Sequence, residues 1–180
     1  MRCNIIKTKQ KRKKFNVFKS IKTLNEIISE LPKADEVYKM ISKGGFASIS
    51  FIMFVAERTK INNLYVSTFR VGKKESLVLN KLHTEGTLDH AEFVFFELMN
   101  ETDDKYGYFK TLRRVADQND WKMSALKNHS KVILFDTDMG KYVIETSSNL
   151  NENPKIEQFS FEKDEELYEF YKKEIFEGGE

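Results

Sequence analysis

The chain has 180 residues, of which 40% are apolar, and its 30 basic and 28 acidic side chains give a formal net charge of +2. This length suits one domain with a sizeable core. The sequence contains one cysteine and no apolar run near the roughly 18 residues of a membrane span. It therefore predicts no disulfide framework and no membrane partner, and without an apolar signal-peptide core we expect a cytoplasmic protein.

The positive charge is concentrated at the N-terminus. Residues 1–22 hold nine of the basic residues and none of the acidic ones, with Lys11, Arg12, Lys13 and Lys14 at the centre. Such a run can neutralise nucleic-acid phosphates. The alternative is a solvated tail that keeps the protein soluble. We assign residues 1–33 to a basic arm with a short helix, and residues 34–180 to the folded domain.

Helical and strand patterns then alternate along the chain. Apolar spacing predicts helices over 21–31, 34–43, 46–60, 73–83, 106–119 and 163–176. Runs of β-branched and aromatic residues predict strands over 64–71, 91–98, 121–126, 131–135 and 142–144. The aromatic density of 46–60 also allows a strand, but its polar ending favours a helix. This order predicts an α/β fold, with a largely parallel sheet covered on both faces and made mixed by the hairpin at 131–144.

The richest set of site-capable side chains lies between residues 128 and 159. His129 and Lys131 are two positions apart at the start of a strand, so their side chains share one face. Asp136 lies an odd number of positions further and should point elsewhere, towards a structural hydrogen bond. Ser147 and Asn149 share a face in the same way. If the two pairs face each other, their imidazole, ammonium, hydroxyl and amide groups suit a phosphate.

With Glu157 as its last member, this ordered set resembles the HxKxxxxD motif of the phospholipase D-like superfamily and the Ser, Asn and Glu that follow it there. The resemblance covers roughly residues 34–176. Thr146 stands where that family usually has glycine, and the turn after Asp136 is longer. The resemblance implies a phospholipase D-like fold and a metal-independent phosphodiesterase that needs no cofactor.

The same resemblance implies a mechanism with two histidines. One attacks phosphorus to give a phosphohistidine, while the second protonates the leaving oxygen. One chain supplies only His129, so a homodimer is implied. Lys131 would neutralise the non-bridging oxygens, and Glu157 could accept the other imidazole N–H and fix its orientation.

We expect the substrate to be nucleic acid, with DNA preferred to RNA, because of the basic arm and because no apolar surface helix is evident. A lipid substrate ranks below it. The alternative is a DNA- or RNA-binding protein on the same fold that does not cleave, in which the altered segment at Thr146 and Ser147 has lost turnover.

Overall fold

An eight-stranded sheet runs through the structure, a computed structural model that describes residues 10–20, 23–96 and 108–178. Its strands are β1 (Arg12–Phe18), β2 (Glu36–Ser42), β4 (Ile61–Ser67), β5 (Leu88–Phe96), β6 (Lys122–Leu126), β7 (Val132–Thr137), β8 (Gly140–Thr146) and β10 (Glu157–Lys163). Two short strands, β3 (Phe46–Ala47) and β9 (Glu152–Asn153), pair with each other.

The strands lie in the order β1-β2-β10-β8-β7-β4-β5-β6. Six of them run in one direction, and β7 and β10 run against the others. The sheet is therefore mixed but mostly parallel, as the sequence predicted. The carboxyl ends of β4, β5, β6 and β8 meet the start of β7 and β10 at one edge of the sheet.

Helices cover both faces of this sheet: α1 (Ile49–Ala56), α2 (Lys73–Thr84), α3 (Tyr108–Gln118) and α4 (Glu165–Tyr171), which continues as a π-helical turn (Lys172–Phe176). Ile133 and Phe135 of β7 pack in the larger core with α1, α2 and α3. Val132 and Leu134 face the other way, towards Tyr168 of α4. This alternation along one strand produces the two layers. Within the described ranges, no helix has the length and apolarity to cross a membrane.

The predicted hairpin is confirmed as β7 and β8. Its turn ends at Gly140, whose φ of 111° suits glycine, and a Cβ there would lie 2.7 Å from Lys163 Cε. The helices predicted over 46–60, 73–83, 106–119 and 163–176 and the strands over 64–71, 91–98 and 121–126 are also present, with shifted ends. The predicted ends at 97–98 and 106–107 lie outside the described residues.

The predicted helix over 34–43 is wrong, because this segment is strand β2. Val37, Met40 and Ile41 match helical spacing, but β2 pairs with β1 on one side and with β10 on the other. Both partners are distant in sequence, so local spacing could not reveal them. Strand β10 itself was not predicted.

The predicted helix over 21–31 shrinks to one 3₁₀ turn (Leu24–Glu26), and residues 21–22 lie outside the described part. Arg58 holds the segment that follows this turn, since the guanidinium donates two hydrogen bonds, of 3.1 and 3.3 Å, to the carbonyl oxygen of Ser29. Leu24, Ile28 and Leu31 are nevertheless buried in the larger core.

The described part of the predicted arm forms the edge strand β1. Its residues pair in parallel with β2. The boundary predicted between the arm (residues 1–33) and the folded domain (residues 34–180) therefore lies between two strands that pair with each other. Phe18 at its end is buried in the larger core, whereas Phe15 and Val17 are exposed. Residues 1–9 lie outside the described part.

Candidate active site

The candidate site lies at the sheet edge where β6 ends and β7 begins. His129 is exposed in the connecting loop, and Lys131 is half-buried directly before β7. Lys131 Nζ lies 3.4 Å from His129 Nδ1 and 2.9 Å from the His129 carbonyl oxygen. An ammonium can only donate, so the ring contact requires an unprotonated Nδ1. The opposite ring nitrogen, Nε2, is then on the edge of the ring that faces away from Lys131.

Asn128 fixes the loop that carries His129. Its Nδ2 donates to Ser67 Oγ at 2.9 Å and to the Val94 carbonyl oxygen at 3.3 Å, at the ends of β4 and β5. Its Oδ1 accepts hydrogen bonds from Ser130 N at 3.0 Å and Ser130 Oγ at 2.6 Å. Sequence reasoning missed this support, although an Asn followed two residues later by a Ser is typical of an Asx turn.

An aromatic contact positions the imidazole from the other side. The rings of Phe69 and His129 meet edge to face, with centroids 5.6 Å apart, and Phe69 stacks on Phe96 at 5.1 Å. Phe69 follows β4 by two residues, and nothing in the sequence pattern singled it out. The His129 ring therefore lies between an ammonium and an aromatic edge.

Glu157 is buried beside this pair, at 8% exposure. One carboxylate oxygen accepts a short hydrogen bond from Ser147 Oγ, and the other accepts from Asn153 Nδ2. Ser147 Oγ also accepts from Gln158 N at 3.0 Å. Sequence reasoning expected this carboxylate on the imidazole, but the structure gives it Ser147 and the unpredicted Asn153 instead. The pairing of β8 with β10 explains this, because it brings residue 157 opposite the end of β8.

The charge of Lys131 depends on two opposing influences. Burial lowers the pKa of Lys131, and the negative charge of Glu157 raises it in part. The ammonium thus lies in the field of Glu157 while it contacts His129. Such a cation, half-buried and beside an exposed imidazole, can bind an oxyanion that approaches from solvent.

Asn149 holds a neighbouring loop. Its Oδ1 accepts from Phe69 N at 3.2 Å and from Thr68 Oγ1 at 3.4 Å. Through Phe69 it adjoins the imidazole, and no direct contact with His129 is present. Asp136 lies on the opposite face of β7, where it accepts from Asn63 Nδ2 at 3.2 Å. His129 thus contacts Lys131, and Ser147 contacts Glu157, while the charge of Glu157 acts on Lys131 and links the two pairs. Asn149 is joined to His129 through Phe69, and Asp136 lies apart.

The basic residues 11–14 lie far from His129. They occupy or precede β1, four strands away from β7, which corresponds to about 19 Å at roughly 4.8 Å per strand. Lys11 Nζ bonds to Glu162 at 2.7 Å and to Asp164 at 2.6 Å. Arg12 and Lys14 both pair with Glu36.

Lys13 is exposed, and no ion pair or hydrogen bond of its side chain is found among the described residues. Of the four cations in this run, it is the one most available to an external anion. Within the same ranges, no group of three or more His, Cys, Asp or Glu side chains converges to hold a metal ion.

A solved structure of another protein resembles this chain in its fold. No family model and no curated protein matches the chain. Among solved structures, the polyphosphate kinase from Porphyromonas gingivalis has a TM-score of 0.58 and 12% identity, over 80% of this chain and 26% of the kinase chain. The chain therefore spans about a quarter of the kinase, and the similarity confirms the predicted fold class, a mixed, mostly parallel α/β sheet flanked by helices.

Proposed function

We propose that the chain is a metal-independent phosphodiesterase, specifically a nuclease that acts through a phosphohistidine. The observation that carries this proposal is the exposed His129 imidazole with the half-buried Lys131 ammonium 3.4 Å from its Nδ1. Once this contact opens, the imidazole and the ammonium are near enough to engage the phosphorus and a non-bridging oxygen of one phosphodiester.

The proposed first step is attack by the Nε2 lone pair of His129 on phosphorus. A nitrogen–phosphorus bond forms, the bond to the leaving oxygen breaks, and a second imidazole protonates that oxygen. Nε2 has a free lone pair only when the ring proton is on Nδ1, so the contact between Lys131 and Nδ1 must open first. An incoming phosphate can draw the ammonium onto its oxygens. Water then hydrolyses the phosphohistidine and regenerates the imidazole.

The neighbouring residues act by positioning in this scheme. The charge of Glu157 favours the ammonium form of Lys131, and Ser147 holds the Glu157 carboxylate. Asn149 fixes the backbone of Phe69, whose ring contacts His129. Each residue therefore influences the imidazole or the ammonium without entering the bond-making step.

The second imidazole comes from a second copy of the chain in our proposal, because one chain carries one motif. A homodimer with a two-fold axis at the site would place the two His129 side chains face to face. Two exposed apolar side chains at this edge support it: Ile156, which is 70% exposed and precedes Glu157, and Leu126, which is 49% exposed at the end of β6. Their burial between two copies would remove apolar surface from water and so favour association.

We propose nucleic acid as the substrate, with DNA preferred to RNA. Lys13 on β1 and the exposed Arg70, Lys73 and Lys74 near the site provide cations for a phosphate backbone. By analogy of fold alone, a kinase whose name specifies polyphosphate is consistent with a polyanionic substrate.

A binder that does not cleave is the second candidate. This candidate is favoured by the contacts of Glu157, which bonds to Ser147 and Asn153 rather than to His129. No carboxylate among the described residues then fixes the imidazole tautomer. The basic residues would still bind nucleic acid without turnover.

The deciding experiment is a nuclease assay on the purified full chain in EDTA. If the chain is a phosphodiesterase, we expect cleavage that resists EDTA and that His129→Ala abolishes. His90→Ala, which changes a histidine at the far end of β5, should retain this cleavage. An acid-labile phosphate adduct on His129, detected by mass spectrometry, would identify the intermediate. Binding that survives His129→Ala, with no cleavage by the unmodified chain, would support the binder instead.

A further inference from the structure

A second polar cleft lies beside the candidate active site. It has a volume of about 960 Å³ and lies between the N-terminal half of α2 and the loop after β8. Its walls include apolar side chains, Val71, Leu77 and Val78, and its polar groups come from α2 and from residues 151–152. The bond-making step of the proposed mechanism uses none of these groups, and only Arg70, Lys73 and Lys74 entered the proposed function, as cations for the phosphate backbone.

The cleft contains a glutamate that is largely buried. Glu75 is 6% exposed and lines the cleft, and its side chain makes no hydrogen bond or ion pair with the described residues. Its Oε2 lies so close to Gly72 that a Cβ there would be 2.1 Å away. Gly72 is thus required for this placement, and the positive end of α2 favours the negative charge.

An unsatisfied acceptor also lines the cleft. The Asn151 Oδ1 atom is buried and has no hydrogen-bond partner. The Nδ2 of this amide donates to the Glu152 carbonyl oxygen at 3.3 Å, which fixes the orientation of the group. Asn151 Oδ1 is thus a buried acceptor without a partner, and burying an unpaired acceptor costs free energy that a ligand with N–H donors would recover. The Glu75 carboxylate, which lines the same cleft, adds two more acceptor atoms.

The rim of the cleft has the opposite character. Arg70, Lys73, Lys74 and Lys81 are exposed there. A bare metal ion fits this arrangement poorly, because the rim repels cations. A ligand with N–H donors at one end, an apolar face and an anionic group at the other end fits it well.

We propose that the cleft binds the guanine base of a nucleic-acid strand whose neighbouring phosphates reach the rim cations and His129. Among the four bases, guanine presents two adjacent N–H donors, N1–H and N2–H, that a single carboxylate can accept. Single-stranded bases are commonly recognised by such contacts on their pairing edge. The inference deepens the proposed function and rests on it, because it assumes a nucleic-acid strand at His129.

The connection between the cleft and His129 is short. Phe69, whose ring contacts the imidazole, directly precedes Arg70 on the rim. Asn149, which binds Phe69 N, lies two residues before Asn151. Consecutive Cα atoms are about 3.8 Å apart, so Phe69 and Gly72 are separated by at most about 11 Å. One nucleic-acid strand can therefore contact both the cleft and His129.

The test compares single-stranded oligothymidines with and without one guanine, by fluorescence anisotropy in the His129→Ala background, where no cleavage occurs. We expect the guanine-containing strand to bind roughly tenfold more tightly, the effect of a good bidentate base contact. Strands with adenine or cytosine at the same position should bind like oligothymidine.

Glu75→Gln should remove the guanine preference and leave oligothymidine binding intact. Gly72→Ala, which displaces the carboxylate, should act similarly. Glu166→Gln is the matched control, because Glu166 lies in the first turn of α4 and is exposed, and it should retain the preference. Thermal unfolding of Glu75→Gln should show no loss of stability, because the Glu75 side chain makes no hydrogen bond or ion pair with the described residues.

Three results would overturn the inference. Oligonucleotides that bind without any guanine preference would reject the base site while leaving the proposed function intact. A preference that persists in Glu75→Gln would place recognition elsewhere. Absence of binding to every oligonucleotide would reject the proposed function together with this inference.

Discussion

Lys131 Nζ contacts both the Nδ1 atom of His129, at 3.4 Å, and the carbonyl oxygen of His129, at 2.9 Å. One ammonium thus fixes both the ring and the backbone of the proposed nucleophile. Because that ammonium is half-buried and otherwise influenced by Glu157, its protonation state should control phosphate binding at the site.

Lys131→Met should reduce kcat by about 10²–10³, the usual effect of removing one group that stabilises an oxyanion.

Burial lowers the pKa of Lys131, so activity that needs the ammonium should fall on the alkaline side as the pH rises through this lowered pKa. Glu157→Gln removes the charge that raises the pKa, and the alkaline limb should move to lower pH. A pH profile of kcat/KM, with Glu166→Gln as control, measures the shift; an unmoved limb would exclude Lys131 as the titrating group.

The lowered pKa of Lys131 also makes the free energy of unfolding depend on pH. The folded state disfavours the protonated lysine, so between the lowered folded pKa and the unfolded value of about 10.4 the unfolded chain binds more protons. In that window, the contribution of Lys131 to the free energy of unfolding rises with pH. At neutral pH this side chain therefore costs stability, as expected of a residue retained for function.

Ser147→Ala should destabilise the fold, because it leaves the buried Glu157 carboxylate without one of its two side-chain donors. The expected loss is about 1–3 kcal/mol in the free energy of unfolding, measured by urea denaturation. The double variant Ser147→Ala with Glu157→Gln should lose less than the sum of the single variants. Ser29→Ala, at an exposed position, should change stability by no more than about 0.5 kcal/mol; additive effects would argue against a coupled pair.

Local patterns predicted much of this fold and less of the site. The β7–β8 hairpin was predictable, since its residues alternate around a turn. Strand β2 was not, because its partners β1 and β10 are distant in sequence. The proximity of His129 and Lys131 follows from their two-residue spacing, whereas the contact of Glu157 with Ser147 depends on the pairing of β10 with β8.

The basic run should contribute unequally to nucleic-acid binding. Lys13→Ala should reduce the slope of log K against log salt concentration by about 0.7–0.9, the value for one lost phosphate contact. Lys11→Ala should leave the slope unchanged and lower stability by about 1–3 kcal/mol, because Lys11 bonds to Glu162 and Asp164 within the fold. Anisotropy titrations at several salt concentrations distinguish the two. Equal slopes for Lys13→Ala and the unmodified chain would indicate that residues 11–14 serve solubility and structure and do not bind nucleic acid.

The proposed dimer predicts different effects of two similar substitutions. Ile156 is 70% exposed beside Glu157, whereas Met139 is 52% exposed in the β7–β8 turn at the opposite end of the sheet. Ile156→Asp should shift the protein to monomers in analytical ultracentrifugation and abolish cleavage, because a buried unpaired charge at an interface is unfavourable. Met139→Asp should remain dimeric and active.

Mixing experiments test whether the two imidazoles act together. Heterodimers of His129→Ala and unmodified chains should bind nucleic acid but turn over poorly, because each site then has one histidine where the proposed reaction needs a nucleophile and an acid. If the two histidines act independently, the mixed dimers should instead retain about half of the activity. An unmodified chain that is monomeric at micromolar concentration with nucleic acid bound would contradict the two-histidine mechanism and leave the non-cleaving binder as the better explanation of the site.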